Sequence, residues 1–188
     1  MGRSQKWRIA CGMDQMRGET EREKKLSHSR LCEVLNYDAA TGIFRWATRT
    51  SNRIKVGDVA GQIDRHGHRS INVDGLRYMA HRLAWFHTYD RWPVEEIDHI
   101  NLVKDDNRIA NLREASRVEN CCNSGVRRHN KLGIKGVSRH AQAKHRFQAR
   151  IRIGGKVRYL GLFDTAEEAH DAYIEASAIY HGTFARVA

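Results

Sequence analysis

Hydrolysis of a phosphodiester needs a base to activate water, a cation to neutralise charge on the phosphate and leaving oxygen, and rigid placement of both. Asp98 and His99 set a carboxylate and an imidazole side by side after a short apolar approach. In an extended segment adjacent side chains point to opposite faces, so Asp98 can turn to a metal while His99 turns to a water. A carboxyl or amide oxygen from elsewhere must complete the metal's shell. Mg2+ prefers oxygen ligands, keeps several waters and takes one or two protein groups, so an Asp with an Asn suffices, and Mn2+ is the second choice. Taken singly, an Asp-His pair reads as a surface turn, and Asn107 and Asn111 as loop residues bracing local backbone. Taken together, Asp98-His99, Asn111-Leu112-Arg113 and a capped helix carrying Asn120 gather a carboxylate, an imidazole and amides of the kinds that this chemistry needs.

These groups need a scaffold. Ser116 followed by Glu119 is a capping-box signature, which predicts a helix from Arg117 to about Ser124 with Asn120 in its first turns. Upstream, the stretch from His81 spaces Leu83, Ala84, Trp85, Phe86 and Tyr89 on one helical face, and Pro93 follows its end. His81 and Arg82 read as helix-start packing rather than phosphate contacts. Before that helix, LCEVLNYD reads as a short helix, and Gly42 turns the chain into IFRW, a strand. VGDVAGQID, HRSINV and LRYMA, separated by His66-Gly67-His68 and by Asp74-Gly75, complete a small antiparallel sheet. Residues 1–29 are mostly charged and polar and read as a mobile tail.

Residues 125–133 read as a linker, and a second module follows at 134–188. From Arg146 to Ile153, Phe147, Ala149, Ile151 and Ile153 alternate with Arg146, Gln148, Arg150 and Arg152, giving an apolar and a cationic face. Gly154-Gly155 turns the chain into a partner strand, on which Lys156 and Arg158 are expected to continue the cationic face. A capped amphipathic helix, with Thr165 as N-cap and Glu168 three residues on, closes the chain. Like charges on neighbouring outward positions repel across a sheet, and a polyanion would relieve that repulsion.

Through AHRLAW at 80–85 and DHINLVKDDNRIANLR at 98–113 the sequence resembles the HNH endonuclease family, in particular its phage homing-endonuclease branch. That resemblance implies a ββα-metal core within residues 30–124. It makes His99 the general base, Asn111 the residue that orients it, and Asp98 with Asn120 the metal ligands. Leu102 and Val103 depart from the family's usual Gly-Asp in this loop, and because Gly tolerates positive φ where Leu does not, a distorted loop is expected. Through KGVSRH, RFQARIRI, YLGLFDTAEEAHDAY and HGTFA, residues 135–186 resemble the APETALA-type domain of plant ethylene-response factors. This implies a three-stranded antiparallel sheet laid into the DNA major groove, with Lys135, Arg139, Arg146, Arg150, Arg152 and Arg158 as contacts. Ser138, His140, Arg150 and Tyr159 depart from the plant pattern, so no target sequence carries over. The expected fold class is therefore α+β.

A formal net charge of +11 suits a polyanionic partner, and double-stranded DNA is the expected one. Cys11, Cys32, Cys121 and Cys122 form no C-x-x-C pair, so neither a structural zinc site nor a disulfide framework is read, which fits a reducing cytoplasm. No stretch approaches the roughly 18 apolar residues of a membrane span, and no obligate protein partner is evident. The expected function is a site-directed, homing-type DNA endonuclease. Its rivals are a DNA-binding regulator built on an inactive nuclease scaffold and, third, an RNA-binding protein.

Overall fold

The computed structural model describes residues 20–126, 130–143 and 146–186. Residues 1–19 of the expected tail and 127–129 of the expected linker lie outside them. The fold is α+β, with small antiparallel sheets and a three-stranded sheet packed on a C-terminal helix. The chain divides into two compact units, one ending at Ala115 and the other beginning at Ser116.

The first unit begins earlier than the tail reading allows. Glu23–Lys25 form a 3-10 turn, and Ser27 caps α1 (His28–Val34), its side chain accepting from the Arg30 amide. Glu23 is buried, clasped by Arg82 of α2 (Ala80–Tyr89), whose guanidinium also donates to the Pro93 and Glu95 carbonyls. A charge this deep is tolerated because it is paired and hydrogen-bonded. The predicted helix over LCEVLNYD stops at Val34. Residues Leu35–Asp38 instead form β1, paired with β2 (Ile43–Trp46) in the register Leu35↔Trp46. The ladder wins because it buries Leu35 beside Phe44 and Trp46.

A second sheet runs in the order β3 (Gln62–Ile63), β4 (Arg69–Val73), β5 (Leu76–Met79), so the single small sheet expected from the sequence is in fact two. Leu83, Ala84 and Phe86 of α2 join Leu31, Val34, Ile71 and Val73 in one core, and Asp90 ends the helix in the left-handed conformation. The unit closes with a hairpin of β6 (Glu96–His99) and β7 (Leu112–Ala115), in register Asp98↔Arg113 and His99↔Leu112.

The second unit opens with α3 (Arg117–Asn123), carrying the predicted capping box at Ser116 and Glu119. Its sheet has the order β10 (Lys156–Phe163), β9 (Phe147–Ile153), β8 (Val137–Arg139), and α4 (Ala166–His181) packs Ala169, Tyr173 and Ala176 against Val137, Ala149 and Ile151. Gly154 and Gly155, at φ of 55° and 78°, make the predicted two-residue turn.

Candidate active site

Asp98 and His99 end β6, and both are buried, at 3 % and 5 % exposure. Directly across the ladder Arg113 closes on Asp98, its Nε and Nη2 donating to Oδ2 at 2.8 and 2.7 Å. Adjacent residues of a strand face opposite ways, so His99 emerges on the other face of the hairpin. There its Nε2 lies 3.4 Å from Oδ1 of Asn107, a residue only 1 % exposed.

The β6–β7 connection is held by its own polar groups. The Asn111 side chain accepts from the Asn101 amide at 3.0 Å and donates to the Asp106 carbonyl at 2.8 Å. Asp106 also accepts from Asn101 and Arg108, and the Arg108 hydrogen bond is the main reason its carboxyl titrates down at about 2. From outside the loop, Arg69 grips Asp105 through two 2.8 Å bonds, and the Tyr37 hydroxyl donates to the Asn107 carbonyl at 2.7 Å. Gly42 approaches so closely, at φ of 74°, that a Cβ there would collide with the backbone of Asn107 and Arg108. Leu102 stands at φ 64°, the left-handed conformation that glycine would adopt without strain. The loop thus keeps the backbone shape a glycine would give, with strain at Leu102 in place of the distortion expected.

Three imidazoles meet on the His99 side. His68 comes from the turn before β4, where Asp64 fixes the backbone by accepting from the His66 and His68 amides; His81 comes from the first turn of α2. The ring centroids lie 5.3 Å apart for His68 and His81, 5.7 Å for His68 and His99, and 5.2 Å for His81 and His99. One nitrogen from each lies within 4.8 Å of the others. The Nδ1 atoms of His68 and His81 are buried without a hydrogen-bond partner among the described residues. An unsatisfied buried polar atom costs about 1–3 kcal/mol. Burial lowers the affinity of all three rings for protons, most of all at His81, so each is neutral at pH 7.

In donor chemistry the two faces differ: the neutral imidazoles suit late first-row divalent ions. Asp98 offers the hard oxygen that Mg2+ prefers, in competition with Arg113. Asn120, half-buried in the first turns of α3, belongs to the other compact unit.

The six candidate DNA contacts differ in setting. Arg150 and Arg152 are exposed on the outer face of β9. Arg146 pairs with Asp164 at 2.8 Å. Lys135 is half-buried, donating to the Cys122 carbonyl at 2.6 Å, and burial lowers its pKa. Arg139 is registered with Phe147 and its guanidinium lies 5.2 Å from that ring, on the apolar side of the sheet. Arg158 pairs with Ile151, and Lys156 with Ile153, so both share the helix-packed face. Facing cross-strand partners lie on one side of a sheet. The outer neighbours of Arg152 and Arg150 are therefore Val157 and Tyr159, 56 % and 59 % exposed, and the expected extension of the cationic face along Lys156 and Arg158 does not hold. Gln148, expected among the outward residues, is buried, and its side chain accepts from Arg150 at 2.6 Å.

From sequence, His68 reads as part of a turn, Asn107 as loop and His81 as helix-start packing. The available signal was chemical type alone, since the approach of residues 68, 81, 99 and 107 is set by tertiary folding.

A family model described as HNH endonuclease matches residues 78–121, a span that holds α2, the β6–β7 hairpin and most of α3. No match was found among curated proteins or solved structures. Among the described residues, no helix is long and apolar enough to cross a membrane.

Proposed function

We propose that the chain is a divalent-cation-dependent DNA endonuclease of the homing type, in which His99 takes a proton from the attacking water. The observation that carries this reading is a neutral, buried imidazole next to a carboxylate on β6, inside the span matched by the HNH endonuclease model. If His99 Nε2–H donates to Asn107 Oδ1, the lone pair resides on Nδ1 and the ring is held for proton abstraction. Asn111 then supports the base indirectly, by bracing the loop that carries Asn107. Asp98 is the proposed oxygen ligand, with Mg2+ preferred and Mn2+ accepted. A bound cation supplies charge neutralisation on the phosphate and the leaving oxygen.

The three-stranded sheet of the second unit is proposed to position the enzyme in the major groove, as an APETALA-type module would. Arg150 and Arg152 supply the base or phosphate contacts there, with Tyr159 and Val157 beside them. Double-stranded DNA is the substrate, which accords with a charge of +11.

A plasmid-nicking assay with Mg2+, Mn2+ and EDTA tests this. Wild type should cut only with metal, and His99→Ala should lose roughly 10²- to 10⁴-fold in rate while keeping its DNA affinity. Equal loss of rate and affinity would make His99 structural. Metal-independent silence of the wild type, with DNA binding intact, would leave a DNA-binding regulator on an inactive scaffold, a reading that draws on the Asp98–Arg113 pair.

A further inference from the structure

We infer that His68, His81 and His99 form a binding site for Zn2+ or a similar late first-row ion, separate from the oxygen site proposed at Asp98, and that its occupation switches the nuclease off. Among the described residues this is the one place where three such donor groups come together, each nitrogen within 4.8 Å of the others. They arrive from three different elements, the turn before β4, the first turn of α2 and the end of β6. His170 and His181 also carry buried, unpartnered Nδ1 atoms, yet neither belongs to such a group. At residues 68 and 81 the unpartnered atoms belong to rings that converge with a third.

Neutral imidazole is a ligand of intermediate softness, suited to zinc, copper and nickel and poorly suited to Mg2+. Three His ligands with a fourth, open position are a recurrent zinc arrangement. With Zn–N bonds of about 2.0–2.1 Å, tetrahedral geometry needs the nitrogens roughly 3.4 Å apart, so the rings must draw together by up to about 1.4 Å. His68 is the ring best placed to move, being half-buried on a turn, whereas His81 and His99 are fixed in regular elements. Asn107, beside His99, supplies the outer-shell contact that orients a metal-bound imidazole.

Control follows from a single electron pair. A neutral imidazole has one nitrogen lone pair, and the pair that binds a metal cannot also accept a proton from water. Zinc at this site therefore removes the base while leaving Asp98 and the DNA-binding sheet untouched. This consequence rests on the nuclease reading; the binding site does not.

The full-length chain is titrated with Zn2+ by calorimetry and with Co2+ by visible absorption, as wild type, His68→Asn and His81→Asn, each checked for a cooperative melt. The expected result is one equivalent bound by wild type, a tetrahedral Co2+ spectrum without thiolate charge-transfer bands, and weakening in His68→Asn beyond the roughly 10- to 100-fold that outer-shell changes cost. In parallel, each variant's Mg2+-supported nicking is measured with and without Zn2+ and expressed relative to its own zinc-free rate. Wild type should be inhibited and His68→Asn resistant. No binding, thiolate bands, or undiminished binding in both folded variants would overturn the site. Binding as expected without zinc inhibition of an active enzyme would overturn the control. Binding as expected in a protein that never cuts DNA would strike the nuclease reading and leave the zinc site standing.

Discussion

In the unit that ends at Ala115, the side chains able to do chemistry are buried: Asp98 under Arg113, His99 against Asn107, His81 inside the core. In the unit that begins at Ser116, the side chains of interest stand in the open, with Arg150, Arg152, Val157 and Tyr159 on one exposed sheet face. Burial fixes geometry and shifts proton affinities, whereas exposure keeps groups available to a partner and leaves them weakly coupled to the fold. Substitutions in the first unit should therefore register as stability and rate, and those in the second as affinity.

The largest break in that contrast is Arg113→Ala. It would remove the guanidinium paired with the buried Asp98 carboxylate, and urea denaturation should show a loss of about 3–5 kcal/mol. A small effect would mean that Asp98 is far better solvated than its 3 % exposure implies. Next, Arg150→Ala should weaken DNA binding, by about 1–3 kcal/mol if the guanidinium reads a base edge, whereas Arg158→Ala, on the helix-packed face, should cost less. Equal losses, measured by fluorescence anisotropy at fixed salt, would erase the distinction between the faces.

A pH series sharpens the comparison. A buried imidazole whose folded-state pKa lies below 6.5 binds protons less readily folded than unfolded. Stability is thus complete above pH 6.5 and declines below it, by at most about 1.4 kcal/mol per pH unit for each such ring. In metal-free buffer His81→Asn should flatten this decline, and an unchanged slope would show that His81 titrates normally. The smallest effect is Leu102→Gly. Relief of the left-handed strain is worth about 1–2 kcal/mol, and glycine's extra unfolded freedom returns about 0.5–1, so a gain of up to about 1.5 kcal/mol is expected in the same melt.

Local signals in the sequence were enough for α2, for both capping boxes and for the Gly154-Gly155 turn, because each depends on residues within one or two helical turns. The sides of β10 were legible too, and misread. A two-residue turn pairs Ile153 with Lys156, which obliges Arg152 to face Val157. Leu35–Asp38 could not be assigned locally, since its pairing with Ile43–Trp46 decides against helix. Asp98 and His99 were recognisable as a chemical pair, but Arg113 as the partner of Asp98 depends on hairpin register, and His68 joins His99 only through packing between distant segments.

The contacts of Tyr37 and Gly42 with the backbone at Asn107 and Arg108 bear on how such a protein can be dissected or recombined. The stretch matched by the HNH endonuclease model, 78–121, is not a transplantable cassette. Its asparagine is propped from behind by a hairpin some seventy residues upstream, and one member of its histidine trio is supplied from outside its borders. A chimaera that moved this stretch alone would carry Asp98, His99 and Asn107 without the Tyr37 and Gly42 contacts that brace their loop.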